Sequence, residues 1–372
     1  MKIFFYAPFK PVGHHRPSGD LTTASELCEH LAARGHELVQ ASRLRLRWVY
    51  WKPHLWPAAA AERLRLLGTA QREKPDLWLT FHCYYKAPDI IGPWVSARAG
   101  LPYLIFKGIY STKVRRRLKT LPGFLLNRRA LTSAAGIISN RREDMVNLAR
   151  IIPAERLYYT PPGIKPADFA FRPEARERLR REWGVGDSPV VLTAAMFRPD
   201  VKTKGLIHAI RACGKLLARG RDLFLAVAGD GEERKKIERI AARELGGRVR
   251  FAGLVPRDKM ADFYSAGDLF AFPGFNEALG MVYLEAQSCG RPVVACPEGG
   301  VPEVVEHGRG GLFAPADDLD AFAGAVARFL DDPGFRESQG NLARARILAD
   351  HDLGKNYLLL DEILKKAARG QK

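Results

Sequence analysis

Twice along this chain, short apolar runs alternate with segments of helical spacing, and a proline-rich stretch separates the two series. Strand and helix in strict alternation imply a parallel sheet, because each parallel pairing needs a crossover and the crossovers cover both faces. The first series places strands near residues 3–6, 37–41, 77–81, 103–106 and 136–139, with a helix over 21–34 stopped by Gly35. The second places them near 190–194, 223–228, 249–251, 269–272 and 292–295, after a charged helix over 174–183. Between them runs Pro161-Pro162-Gly163-Ile164-Lys165-Pro166, stiffened by its prolines and read as a linker. The predicted domains are therefore 1–165 and 166–349. A last helix, within 350–372, puts Tyr357, Leu360, Ile363 and Leu364 on one face.

At 372 residues the chain is long enough for two domains, and 47% hydrophobic with 27% charged residues describes a globular protein with a real core. It has no run of 18 apolar residues, so no membrane-spanning helix is expected. Residues 1–8 read as a buried strand, not as a signal peptide. Five scattered cysteines, Cys28, Cys83, Cys213, Cys289 and Cys296, lack metal spacing and suit reduced thiols in the cytoplasm. The charge is uneven. Residues 1–165 carry a formal +16 and the remainder +2. Such a field attracts anionic partners: nucleic acid, an anionic membrane or a phosphorylated acceptor.

The segment Asn276-Glu277-Ala278-Leu279-Gly280-Met281-Val282-Tyr283-Leu284-Glu285-Ala286 carries the most chemistry. Gly280 stands where a loop turns into a helix. The N–H groups of Leu279, Gly280, Met281 and Val282 would face a phosphate there. Glu277 can accept from sugar hydroxyls, and Glu285, two turns in, from a ribose. Arg198 and Lys204 are cations suited to a departing diphosphate, with Lys202 as a rival for the lysine role. Asp318-Leu319-Asp320 begins a predicted helix, and capping explains it better than a metal. No metal site is expected.

The stretch resembles the E-x7-E signature of the family 4 retaining glycosyltransferases. Phe197-Arg198 with Lys204-Gly205 resembles that family's diphosphate-binding pair. Val227-Ala228-Gly229-Asp230-Gly231 resembles its strand-turn before a helix, and Arg250-Phe251-Ala252-Gly253-Leu254-Val255 its base-proximal strand. Ser18-Gly19-Asp20 sits where the family has a Gly-rich loop. The resemblance implies an α/β chain of the GT-B fold: two Rossmann-like domains with parallel sheets facing a central cleft, the last helix crossing back to the first domain. It further implies a retaining, metal-independent hexosyl transfer. The donor would be a nucleotide sugar, a UDP-sugar foremost, taken as substrate with no cofactor. The acceptor would be a glycan or a lipid-linked glycan, and the setting synthesis of cell-envelope polysaccharide or lipopolysaccharide. Gly19, Gly229 and Leu254 join the donor site on this ground. The family's histidine after the fourth strand is here Lys107-Gly108, so Lys107, or His82 from another strand, would take its place.

Two basic segments remain. In residues 43–56 a helix would put Leu44, Trp48, Trp51 and Leu55 on one face beside Arg43, Arg45 and Arg47, although Pro53 disturbs it. Lys113, Arg115, Arg116, Arg117 and Lys119 form the other. Both suit an anionic membrane or acceptor, with the protein cytoplasmic and peripheral to the inner face. Nucleic-acid binding would explain the charge but not the ordered motifs, and no RRM, zinc or helix-turn-helix signature is present. A dinucleotide oxidoreductase would need a G-x-G-x-x-G after the first strand, which residues 6–19 lack. An epimerase or phosphorylase of the same fold is the alternative within it.

Overall fold

The computed structural model describes residues 1–14 and 19–370. Strands β1 (Lys2–Tyr6), β2 (Glu37–Ser42), β3 (Leu77–Cys83), β4 (Tyr103–Gly108), β5 (Gly136–Ser139) and β6 (Leu157–Tyr159) form one parallel sheet, ordered β2-β1-β3-β4-β5-β6. Strands β7 (Val190–Ala194), β8 (Phe224–Ala228), β9 (Val249–Gly253), β10 (Leu269–Ala271), β11 (Val293–Ala295) and β12 (Gly311–Phe313) form a second, ordered β12-β11-β10-β7-β8-β9. The central strands of the second sheet are almost wholly apolar because helices cover both faces; every residue of β7, β8, β10 and β11 is buried, Thr193 included. The sequence reading missed β6 and β12. Each has three residues and lies at a sheet edge, too short to leave a periodic pattern.

The chain divides into two units, residues 1–161 with 354–372, and residues 162–353. The first boundary falls inside the predicted linker. In the first unit, the helix Leu353–Arg369 lays Tyr357 against His30, ring centroids 5.3 Å apart. One turn on, the buried Asp361 carboxylate lies 2.6 Å from His36 Nε2 and accepts from Lys365 Nζ at 2.8 Å. In the second unit the two ends of the segment meet: Ile164 N donates to His351 O and Leu353 N to Ile164 O.

Residues 43–48 form no helix. The chain stays extended after β2, with Arg43, Arg45 and Arg47 exposed, Leu44 half-buried and Leu46 buried. Leu46 N donates to Pro8 O and Tyr6 OH to Leu44 O, which ties this segment to the end of β1. One short 3₁₀ turn follows, Val49–Trp51, and a helix begins only at Leu55, past Pro53. The cysteines are all free. Burial pushes the Cys213 thiol up to about 12 and raises Cys83, Cys289 and Cys296 as well, as befits inert core thiols. Asp318 caps its helix, accepting from Ala321 N at 2.8 Å.

Asp268, just before β10, anchors the second unit. Its carboxylate accepts from Val190 N at 2.7 Å, from Arg176 Nη2 at 2.7 Å and from Arg180 Nη1 at 3.2 Å. Burial works against the charge, but Arg176, the Val190 N–H and Arg180 together hold the carboxyl below its usual range. A depressed folded pKa contributes stability that is present above the unfolded value, ~3.9, and is lost as pH falls through the lower folded value. Asp268→Ala is expected to cost about 3–5 kcal/mol at pH 7, since it leaves Arg176 and Arg180 unpaired. Urea unfolding should show that gap at pH 7 shrinking below pH 4; an unchanged urea midpoint at pH 7 would refute it.

Candidate functional site

In the second sheet β7 lies between β8 and β10, so the chain segments leaving β7 and β10 part to opposite sides. In open parallel sheets, ligands bind beyond the carboxyl ends of the strands at such a reversal. The segment after β7 carries Arg198. It is held by the turn after β8, where Phe197 N donates to Asp230 O at 3.0 Å. Only glycine fits that turn. A Cβ on Gly229 (φ +137°) would lie 1.9 Å from Ala195 O, and one on Gly231 (φ +150°) 2.6 Å from Phe197 O. Arg198 itself is exposed, and its guanidinium has no ion-pair partner among the described residues.

Asp200 then caps a helix, Val201–Ala218, accepting from Lys202 N at 2.8 Å. Both lysines therefore sit in its first turn. Gly205 lets that turn pack on the chain leaving β10, since a Cβ there would meet the Phe272 ring at 2.8 Å. This contact brings Lys202 to Glu277, and the two form an ion pair. Lys204, two residues on, does not join this ion pair. It is exposed, with no ion-pair partner among the described residues.

The loop after β10 is built from left-handed residues: Gly274 (φ +73°), Asn276 (φ +51°) and Gly280 (φ +74°). Glu277 N donates to Gly274 O, and Tyr283 OH to Phe272 O. The turn after β11 braces it from outside, with Gly300 N donating to Glu277 O at 2.9 Å. A Cβ on Gly300 would lie 1.7 Å from Ala278 O, and one on Gly299 2.3 Å from Glu277 O. The helix Met281–Ser288 follows. Among the described residues, the N–H groups of Leu279, Gly280, Met281 and Val282 donate to no backbone carbonyl, so four successive donors stand open at a helix start. Leu279 and Gly280 are buried, Met281 and Val282 half-buried. Glu285 is buried, accepting from Tyr264 OH at 2.8 Å with Arg257 Nη1 at 3.5 Å. Leu254 is two-thirds exposed just past β9.

The structure thus brings Arg198, Lys202, Gly229 and Glu277 onto mutually braced loops. The sequence reading missed the Gly299-Gly300 brace and the Tyr264 and Arg257 partners of Glu285. Two adjacent glycines ahead of Val301-Pro302-Glu303 were the available signal for the brace. Nothing local could have revealed Tyr264, 21 residues from Glu285.

In the first unit, His82 (φ +59°) and Lys107 (φ +60°) lie at the carboxyl ends of the neighbouring strands β3 and β4. Both hold a left-handed conformation that non-glycine residues rarely adopt and that clusters at functional sites. His82 stacks on Tyr84 at 4.7 Å, and Lys107 Nζ lies 5.5 Å from the Phe81 ring centroid. Gly19 opens the helix Gly19–Ala33 and is exposed, with open space where a Cβ would be. Ser18 lies outside the described residues. The two basic segments do meet: Trp51 Nε1 donates to Lys119 O at 2.8 Å. Trp51, Trp56 and Leu118 are exposed among these cations, and Trp48 packs edge-on to Tyr50 and Tyr85. Among the described residues no helix is long and apolar enough to cross a membrane.

Residues 175–346 match the family model described as "Glycosyl transferases group 1". The chain is 37% identical over 201 residues to the GDP-mannose-dependent alpha-(1-6)-phosphatidylinositol monomannoside mannosyltransferase of Mycolicibacterium smegmatis, covering 52% of each chain. It is 32% identical over 291 residues to the D-inositol 3-phosphate glycosyltransferase of Acidothermus cellulolyticus, covering 73% of this chain and 63% of that one. The matches thus span about half to two thirds of these relatives' length. The sucrose-phosphate synthase of Thermosynechococcus elongatus shares the fold, with a TM-score of 0.75, 21% identity and coverage of 98% and 99%.

Gly300→Ala tests the brace. The added methyl must push Ala278 aside and misplace Glu277 and the four open N–H groups. Pyrophosphate binding, measured by titration calorimetry, is expected to weaken about tenfold or more, a loss of at least ~1.4 kcal/mol, with an unchanged circular dichroism spectrum. Wild-type affinity would show that the loop does not depend on this contact.

Proposed function

We propose, from the premise that residues 175–346 belong to the group 1 glycosyl transferases, that this chain moves a hexosyl group from a nucleoside diphosphate sugar to a glycan or lipid-linked acceptor. One observation carries the reading. The open N–H groups of residues 279–282 and two cations with no ion-pair partner among the described residues, Arg198 and Lys204, belong to loops tied together through Lys202 and Glu277. A diphosphate supplies the negative charge that such a set lacks. Lys202 already spends its charge on Glu277, so Arg198 and Lys204 are the cations available to the leaving group.

In the proposed reaction the bond from the anomeric carbon to the diphosphate oxygen breaks and its electron pair stays with the diphosphate. The acceptor oxygen bonds to the same face of that carbon, with retention. The acceptor's proton passes to the departing phosphate oxygen. Arg198, Lys204 and the helix N-terminus stabilise the charge that grows on the diphosphate, and they do so more in the transition state than before it. Glu277 accepts from donor-sugar hydroxyls, Glu285 from the ribose through a shift of its present partners, and Leu254 lies beside the base. The reaction as proposed uses neither cofactor nor divalent ion. A UDP-sugar follows from the sequence resemblance, whereas the mannosyltransferase relative supports GDP-mannose. A panel of UDP-, GDP- and ADP-sugars decides, because the bound donor raises the melting temperature. Glu277→Ala should cut turnover at least ~10²-fold without unfolding the protein, and turnover should persist in EDTA. Wild-type turnover by Glu277→Ala, or loss in EDTA restored by Mn²⁺, would overturn the assignment.

We further propose that the first unit meets its acceptor on an anionic membrane at the cell envelope, the protein being cytoplasmic and peripheral. The exposed Trp51, Trp56 and Leu118 among Arg43, Arg45, Arg47 and the 113–119 cluster support this, since exposed aromatics beside cations suit a lipid interface. Co-sedimentation with anionic liposomes should exceed that with neutral ones. It should weaken with salt, as the Debye length falls from ~10 Å at 0.1 M to ~3 Å at 1 M. Changing Arg43, Arg45 and Arg47 to Glu should abolish the difference. Equal binding to both liposomes would favour a soluble acceptor.

A further inference from the structure

Three helices of the first unit, Leu55–Glu73, Gly92–Ala99 and Leu121–Thr132, contribute to a cavity of about 260 Å³ that shares no residue with the sites above. Its walls include Arg63, Arg98 and Arg129. Arg63 is fixed: its Nε and Nη2 both donate to Ile90 O, at 2.9 and 2.6 Å. Arg98 sits over Trp94, its Cζ 3.9 Å from the ring centroid, and Arg63 Cζ approaches the same ring at 5.8 Å. One indole thus holds two guanidinium groups in place.

The only carboxylate in the wall is Asp89, and its oxygens are already taken. They accept from Thr80 Oγ1 at 2.6 Å, Tyr103 OH at 3.1 Å, and the N–H groups of Ile91 and Gly92 at 2.8 Å each. Burial raises the Asp89 pKa, against the four hydrogen bonds that favour its charged form, and those bonds leave its oxygens committed to their own partners. Among the described residues Arg98 and Arg129 have no carboxylate partner. Burial, with the repulsion of Arg129 and Arg98, pulls Arg63 down against the attraction of Asp89. Arg63 and Arg98, held as described, and the exposed Arg129 therefore line one cavity with at most a single opposing charge.

We propose that this cavity binds a compact phosphate dianion, free or carried as a monoester. Planar guanidinium forks match phosphate oxygens in pairs, and two negative charges fit the local excess. The volume lies below the ~300–1,000 Å³ of pockets for drug-sized ligands and suits a ligand smaller than a nucleotide sugar. The inference does not rest on the transferase reading, because no residue is shared.

The test uses the full chain with Arg198→Ala and Lys204→Ala, so that the cradle of the second unit is silenced. Titration calorimetry with inorganic phosphate and with glycerol 3-phosphate should show one saturable site, and acetate none. Adding Arg98→Gln and Arg129→Gln should weaken binding at least about tenfold, the scale expected for losing charge-assisted hydrogen bonds. Both side chains are exposed, so the fold should persist, with an unchanged melting temperature in phosphate-free buffer. Tighter binding of inorganic phosphate than of glycerol 3-phosphate would identify the free ion as the occupant, and the reverse a phosphorylated polyol. No saturable binding of either probe, or equal affinity in the Arg98→Gln, Arg129→Gln protein, would overturn the proposal.

Discussion

The backbone of Gly300 touches the backbone of Ala278, and any side chain there must displace the loop. From that contact the rest of the second unit's site follows. It fixes the carbonyl of Glu277, which fixes where the loop after β10 turns, which fixes where the helix at Met281 starts. The same device recurs on the other side of the sheet's switch point, where Gly229 and Gly231 press against Ala195 and Phe197, and where Gly205 meets Phe272. Each is a place where a missing Cβ lets two loops approach within hydrogen-bonding reach. Loops held this way need little from side-chain packing, so the side chains near them are free to bear charge.

That freedom shows in how charge is spent. Near β10, Asp268 satisfies two arginines and an N–H group, and its work is structural. Lys202 spends its charge on Glu277 and thereby aims a carboxylate. Arg198 and Lys204 remain uncommitted in a region where four N–H groups also lack acceptors. Among the described residues this contrasts with Asp268, Asp262 and Asp361, each of which is satisfied, and it is the contrast on which the proposed diphosphate site rests.

Much of this was legible in the chain. Strands buried on both faces appear as unbroken apolar runs, which is why β7, β8 and β10 could be located closely. Glu277 and Gly280 stood out because a loop-to-helix change leaves a local signature. The segment 43–48 misled, although its Arg-Leu alternation has the period of an extended chain and not that of a helix; three tryptophans in residues 48–56 drew attention to the wrong period. The start of the helix at Val201 was hidden by Pro199 and became visible only through the Asp200 cap. The hold on Glu285 by Tyr264 and Arg257 is tertiary, and no local pattern encodes it.

The second unit is a segment whose two ends are joined at Ile164 and His351–Leu353, while the first unit draws its final helix from beyond it. Synthesis runs in the other order. As the chain leaves the ribosome, the second unit has all its parts once residue 353 has emerged. The first, begun much earlier, must wait for residues 354–369 to bring Tyr357 and Asp361 against His30 and His36. For the time taken to make nearly two hundred residues, about 10–40 s at ~5–20 residues per second, the unit that starts first has an open flank. The segment made first is therefore the one exposed longest, and its surplus of positive charge keeps unfinished copies apart.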